Sequence, residues 1–243
     1  MNKYLLLPAT LLFLLLTCCT KTDGQAQEEE NNGTKPPFEI WMGQKTGSTG
    51  NWSNLDWKIV LPDGSYFNQL PREGFLDFSK NQTGGTWGTF SINGSSGTFQ
   101  NQYETIQVKK ISSTEMEKIG YTNRLYLLST VDGVKLNGSY NTIPNWSSIS
   151  NYPYGPTDAQ PMISFDQQGN FLDLGAFVTN FTQPFQDAQR APGAGTYEIK
   201  KFTLILNYTD GRKITRSFSG VLNNKVSANS ELVLIAGNPF YNK

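Results

Sequence analysis

Short runs of β-forming residues, each broken by a tight turn, constrain this chain more than any other feature. "WKIVL" at 57–61 meets Pro62-Asp63-Gly64 and resumes as "SYFNQL", and "MISFD" at 162–166 meets Gln167-Gln168-Gly169 and resumes as "NFLDL". "TLILNY" runs into Thr209-Asp210-Gly211 and then "RKITRSF", while Ile92-Asn93-Gly94 and Val131-Asp132-Gly133-Val134 add two more breaks. Asp-Gly and Asn-Gly supply the positive φ that tight hairpins demand, so each unit reads as strand, turn, strand. A chain of such units is all-β. One short helix is expected near 113–119, where Ser112 and Glu115 have capping-box spacing.

The units recur. Gly-Thr-aromatic-x-Ile stands at 88–92 ("GTFSI") and again at 195–199 ("GTYEI"), each time after an apolar–turn–aromatic hairpin (59–67 and 162–171). The spacing from Gly64 to Gly169 nearly equals that from Gly88 to Gly195. A period of roughly 100 residues is too long for a propeller blade or a solenoid repeat. It suggests two related halves whose meanders close on each other into a single antiparallel up-and-down barrel, which leaves no exposed edge. The repeated phrase then reads as scaffold, its aromatic and isoleucine sharing one face.

The N-terminus carries a separate signal. Met1-Asn2-Lys3 is a short basic start, and residues 4–16, "YLLLPATLLFLLL", are apolar. That run is shorter than the roughly 20 residues of a transmembrane helix and fits the apolar region of a secretory signal. It leads into Leu16-Thr17-Cys18-Cys19. A small-residue site ending in cysteine resembles a bacterial lipoprotein signal, in which the cysteine is acylated and becomes the new N-terminus. Cys19 fits that pattern, and Cys18 is the alternative, with bulky Leu16 in a poorer place. Residues 20–37, "TKTDGQAQEEENNGTKPP", lack apolar periodicity and read as a flexible tether. Their acidic triplet Glu28-Glu29-Glu30 resembles the surface-export signals of some Bacteroidetes lipoproteins, although an acidic solvated linker has the same composition. The expected organisation is a signal peptide at 1–18, a lipidated cysteine with its tether at 19–37, and one barrel domain at 38–243. The expected location is the bacterial outer membrane, lipid-anchored, on the periplasmic or the cell-surface side.

Several functions are excluded or disfavoured by composition. Twenty basic residues balance twenty acidic ones and no basic stripe exists, so nucleic acid is not an expected partner. The chain has no histidine, and its only two cysteines lie in the signal region, which excludes Ser-His and Cys-His nucleophilic catalysis. Zinc and other nitrogen- or sulfur-ligated metals are disfavoured for the same reason, and no metal or cofactor is expected. Carboxylate-pair hydrolysis or isomerisation ranks lowest, because Asp63, Asp132, Asp166 and Asp210 stand where turns need Asp.

The blocks "LPDGSYFNQLPREGFLDF", "GTWGTFSINGSSGTF", "MISFDQQGNF" and "GAGTYEIKKFTLILNYTDGRKITRSF" resemble bacterial lipocalin-like proteins of the calycin type. The resemblance covers roughly residues 57–100 and 162–218, and the last block is its most specific part. It departs at Lys200-Lys201, where a glycine-containing turn is usual. It implies a barrel of about eight to ten strands with an interior ligand cavity, and no established activity. Such barrels often close one end with an arginine packed over a tryptophan. Gly85-Thr86-Trp87 resembles the short signature of that pairing, and alternation along 212–218 puts Arg216 on the core face between Ile214 and Phe218. Arg216 reads as that plug, as a contact for an anionic ligand, or as an outward-reaching side chain.

Long connections at 43–56, 139–161 and 176–194 frame the expected barrel. Trp146, Tyr152 and Tyr154 in the second, and Phe177, Phe181 and Phe185 in the third, could gate a cavity, stack on sugar rings, or tuck into the mouth as a minor core. The function expected from the sequence is non-enzymatic binding of a small hydrophobic ligand inside the barrel, through Trp146, Tyr152, Tyr154, Phe177, Phe181 and Arg216, by a protein held to the membrane by its lipid. The alternative is a surface glycan- or protein-binding module that uses the aromatic loops.

Overall fold

Each half of the chain closes on itself. The computed structural model describes residues 37–45, 55–141, 162–177 and 191–243. In the first half, β1 (Glu39–Gln44), β2 (Leu55–Val60), β3 (Ser65–Phe67), β4 (Trp87–Asn93), β5 (Ser96–Asn101), β6 (Thr105–Ser112), β7 (Glu115–Lys118) and β8 (Arg124–Leu127) pair in sequence order. β8 then returns to β1 through Trp41↔Leu127, Met42↔Tyr126 and Gly43↔Leu125. The second half repeats this with β9 (Gly138–Asn141), β10 (Ile163–Phe165), β11 (Asn170–Asp173), β12 (Gly193–Lys200), β13 (Thr203–Tyr208), β14 (Lys213–Ser219), β15 (Leu232–Ile235) and β16 (Asn238–Asn242). Its ring closes where Tyr241 and Asn242 of β16 meet Asn141 and Tyr140 of β9.

The expectation of one barrel of about eight to ten strands is therefore corrected: there are two closed antiparallel barrels of eight strands each. Pairing the first strand with the last inside each half uses both sheet edges and leaves none to join the halves into a larger ring. The expected helix at 113–119 is also corrected, and no helix occurs among the described residues. Ser112 and Glu115 instead face each other across a two-residue turn between β6 and β7. The Thr114 N–H donates to Ser112 Oγ at 3.2 Å. Met116 and Lys118 are buried while Glu115 and Glu117 are not, which is the period of a strand. Serine and glutamate three apart can cap a helix or flank a hairpin; here the register shift at Ile111 and the pairing with β8 select the hairpin.

The repeated phrase does the same work in both barrels. Gly64 and Gly169 hold φ of +79° and +91° in the turns after β2 and β10. The carbonyl of each accepts the N–H of the repeated aromatic: Phe90 N to Gly64 O is 2.6 Å, and Tyr197 N to Gly169 O is 2.7 Å. The repeated glycine lies where two strands press closest. A Cβ on Gly88 would sit 2.3 Å from Gln100 O, and one on Gly195 would sit 1.9 Å from Asn207 O. Those two oxygens belong to equivalent residues of β5 and β13, opposite Thr89 and Thr196. The faces differ between the copies. Tyr197 and Ile199 are both buried, whereas Phe90 is half-buried and Ile92, near the hairpin tip, is 43% exposed.

The halves meet along a seam of aromatic rings and a few backbone bonds. Phe38, Phe75, Phe78 and Phe202 cluster with centroid separations of 5.2–6.4 Å. The Phe75 N–H donates to Thr203 Oγ1 at 2.7 Å, and the Ser217 N–H to Arg72 O at 2.8 Å. Lys201 and Phe202, the turn between β12 and β13, take φ of +47° and +52° without glycine. Positive φ at both central residues is the geometry a two-residue hairpin favours, at a steric cost for side-chain-bearing residues. Lys201 N–H donates to Asp132 Oδ1 at 2.8 Å, and the Phe202 ring is buried among Phe38 and Phe75.

Gly195→Ala should lower stability by about 2–4 kcal/mol, since an overpacked methyl must push β12 off β13. Urea denaturation followed by tryptophan fluorescence measures this, and a loss within error of zero would contradict the close approach.

Candidate functional site

Among the described residues, one end of the first barrel surrounds a cavity lined by charge. Asp56, Lys58 and Val60 alternate onto the inner face of β2, where Val60 joins Trp41, Tyr66, Phe99 and Met116. Leu55, Trp57 and Ile59 face outward into the larger cluster at the seam. Lys58 and Lys118 are each only 2% exposed. Lys118 Nζ lies 2.6 Å from Asp56 Oδ2 and 3.1 Å from Gln44 O. Lys58 Nζ lies 2.9 Å from Asp56 Oδ1 and 3.1 Å from Glu104 Oε1. Asn101 Nδ2 donates to the Tyr66 hydroxyl at 3.0 Å, with the Tyr66 ring lying against Gly88. The glycine of the repeated phrase thus leaves room for a buried ring whose centroid lies 5.7 Å from Lys58 Nζ.

Above this floor is a cavity of about 730 Å³. It lies within the roughly 300–1,000 Å³ of small-ligand sites. Its wall is formed by the ends of strands on one side of the barrel, by the segment 68–72, and by Ala236 from the second barrel. Lys45 and Arg72 line it together with Asp56, Lys58, Glu104 and Lys118, four basic side chains against two acidic ones. Tyr103 and Tyr121 complete the rim, 77% and 43% exposed. Each sits on a turn anchored by a floor residue. Asn101 Oδ1 accepts the N–H groups of Tyr103 (2.7 Å) and Glu104 (3.0 Å), and Lys118 O accepts that of Tyr121 (3.2 Å).

Burial pushes the Asp56 carboxyl up, but the adjacent Lys58 and Lys118 ammonium groups more than offset it and hold it below 3.8. Burial likewise opposes the charged form of Lys58, yet Asp56 and Glu104 raise it above 10.5. The stability Asp56 contributes is complete above its unfolded value and is lost as pH falls through its depressed folded value. That of Lys58 is complete below its unfolded value and is lost as pH rises through its raised folded value.

Among the described residues, aromatic rings occupy the interior of the second barrel. Tyr140 meets Phe165 and Phe165 meets Tyr197 edge-on, with centroids 5.9 and 4.8 Å apart, and Phe171 meets Tyr208 edge-on at 4.8 Å. Its buried acid, Asp173, is 1% exposed. Asp173 Oδ1 accepts the N–H groups of Gly175 and Ala176, both at 2.8 Å, and Oδ2 accepts the Tyr208 hydroxyl at 2.7 Å. Burial raises this carboxyl above its ordinary value, and the three hydrogen bonds pull it back only in part. Its contribution is complete below the unfolded value and is lost as pH rises through the raised folded value, the opposite sense to Asp56. The same burial pushes the hydroxyls of Tyr140 and Tyr197 up to about 12.

The residues singled out in the sequence fall elsewhere. Cys18, Cys19, Trp146, Tyr152, Tyr154, Phe181 and Phe185 lie outside the described residues. Phe177 is 6% exposed and packs against Phe240 at 6.0 Å, inside the second barrel's core. Arg216 does not lie over Trp87: its Nη1 donates to Glu73 Oε2 at 2.6 Å and to Thr215 O at 2.8 Å. Trp87 packs on Phe67 and Phe78 and donates its indole N–H to Gln82 O. Asp63, Asp166 and Asp210 each accept a backbone N–H two to four residues on, from Ser65, Asn170 and Arg212, as turn-forming aspartates do. The floor was missed by the sequence reading. Its one local signal is Asp56 and Lys58 two apart in a strand, which puts opposite charges on the same face.

Comparison with protein-family models finds no matching family, and comparison with curated proteins finds no matching relative.

Asp56→Ala should cost about 3–5 kcal/mol at neutral pH, because it strands two buried ammonium groups without their shared partner. Denaturant titration measures it, and a loss below about 1 kcal/mol would show that water already solvates the pair. Asp173→Asn should instead change neutral-pH stability by less than about 1 kcal/mol, since the amide oxygen still accepts both backbone N–H groups. It should also flatten the decline in stability as pH rises above the acid range; an unchanged pH profile would contradict the raised carboxyl.

Proposed function

We propose that this chain is a non-enzymatic binding protein of the bacterial envelope, held to the outer membrane by a lipid on Cys19, and that it takes a small polar ligand in the mouth of the first barrel. The observation that carries the reading is the buried Asp56–Lys58–Lys118 network facing a cavity of about 730 Å³. Buried ionic groups of this kind retain hydrogen-bonding capacity that water or a polar ligand satisfies. An apolar ligand, expected from the sequence, would desolvate them and give nothing back. A polar occupant therefore suits the mouth better. The likeness of the sequence blocks to lipocalin-like proteins points to the barrel interior as the place of binding, as fold-level analogy.

Thr86 tests the location. It lines the mouth, and among the described residues only its backbone is hydrogen-bonded, through Thr86 N–H to Asn68 Oδ1 and Asn68 N–H to Thr86 O. Thr86→Trp should fill the opening and leave the fold intact by circular dichroism. Native mass spectrometry of the full chain from envelope extracts should show a bound small molecule in the wild type and none in Thr86→Trp. A wild type that is empty and unshifted by a library of polar metabolites would overturn the reading, as would a variant that binds like the wild type.

A further inference from the structure

We infer that the ligand of the first-barrel mouth is an acidic saccharide; this rests on the reading of the mouth as the binding site. Three features of the lining lead there. The floor presents donors and acceptors side by side. Lys58 and Lys118 each have three N–H donors and, among the described residues, two hydrogen-bonding or ionic acceptors apiece. One donor on each ammonium is left for an occupant of the cavity. Asp56, Glu104 and the side-chain oxygens of Asn68 and Gln69 stand beside them as acceptors. A hydroxyl group both gives and takes a hydrogen bond, so a ligand dense in hydroxyls answers such a floor better than a simple anion or a simple cation.

The rim adds flat apolar faces. Tyr103 and Tyr121 stand exposed on two hairpin turns at the opening, their backbone N–H groups donating to Asn101 Oδ1 and Lys118 O. Tyrosine combines an apolar ring face with a polar tip, which suits a pyranose ring, apolar on its C–H face and polar round its edge. The cavity volume admits several such rings.

The charge of the opening supplies the acid. Asp56 and Glu104 balance Lys58 and Lys118 within the floor, and Arg72 adds a positive charge to the lining. Among the described residues the Arg72 guanidinium has no carboxylate partner, and its neighbour Glu73 is committed to Arg216. Its backbone is fixed, because Arg72 O accepts the Ser217 N–H of the second barrel at 2.8 Å. A guanidinium on a fixed backbone at the edge of a polar cavity suits a planar carboxylate, which it can take through two parallel bonds.

The test is an array of neutral, uronate-bearing and sialylated oligosaccharides probed with the full-length lipidated chain in detergent. Retention should be confined to the acid-bearing members and should disappear in Thr86→Trp. In Arg72→Gln, which alters an exposed side chain and leaves the Arg72–Ser217 backbone bond in place, affinity for the acidic members should fall roughly threefold to tenfold, and raised salt should have less effect on what remains. Equal retention of neutral and acidic members, binding of acetate or phosphate with no saccharide retained, or no retention at all would overturn the acidic-saccharide assignment. If these results come with a ligand still blocked by Thr86→Trp, the mouth remains the binding site and only the ligand class is wrong. Saccharide binding that survives Thr86→Trp would overturn both.

Discussion

The pairing of first strand with last inside each half governs the rest of the structure. Once β8 has bonded to β1 and β16 to β9, each half has satisfied its own sheet edges, and the halves can meet only through side chains and loops. The outer faces of β1 and β2 then become the wall of the seam, which is why every residue from Leu55 to Val60 is buried although alternate ones point in opposite directions. The segment between β3 and β4 lies across the seam, places Arg72 against β14, and carries the near wall of the mouth. The site is a product of closure in one half and docking by the other.

The two barrels use one frame and fill it differently. Tyr66 and Phe171 hold equivalent places, each paired with the repeated glycine, Gly88 or Gly195. Asn101 and Tyr208 lie across that same glycine on the next strand. Two residues before the partners of those rings, Lys58 in β2 corresponds to Ile163 in β10. The second barrel thus places isoleucine, phenylalanine and tyrosine where the first places lysine, tyrosine and asparagine. Among the described residues, aromatic rings occupy its interior and Asp173 is buried among hydrogen-bond donors. The charged side chains of the first are buried too, but paired with one another beside the cavity.

Local chemistry made part of this legible in the sequence. Gly64 and Gly169 mark their turns, Asp63 and Asp210 cap theirs, and the spacing between the two copies of Gly-Thr-aromatic reflects a real repeat of eight strands. Which strand meets which at the end of each half was not legible, because edge pairing depends on where β8 and β16 arrive in space, and no short pattern encodes that. The short strands β7 and β8 compounded the difficulty: with only Met116 and Lys118 buried in β7, alternation had too few residues to outweigh a capping-box spacing at Ser112 and Glu115. The floor of the mouth was hidden for a related reason. Asp56, Glu104 and Lys118 come from three different strands or turns, and only the barrel brings them within 3.1 Å of their partners. Attention went instead to Arg216, whose partner, Glu73, comes from the other half and could not be read from the alternation of β14.

The turn at Lys201 and Phe202 shows that closure of a sheet is not autonomy of a fold. Two side-chain-bearing residues in the left-handed region cost about 1–2 kcal/mol each, and the contacts that hold the turn come from within the second barrel, at Thr203 and Phe218, and from outside it, at Asp132, Phe38 and Phe75. Cut from the first half, the second would lose the part of that support that Asp132, Phe38 and Phe75 supply. The dependence runs in one direction at this turn and in the other at the mouth, where Ala236 adds to the wall and Ser217 holds the backbone of Arg72, which lines it. Duplication has produced two closed rings that are no longer separable parts.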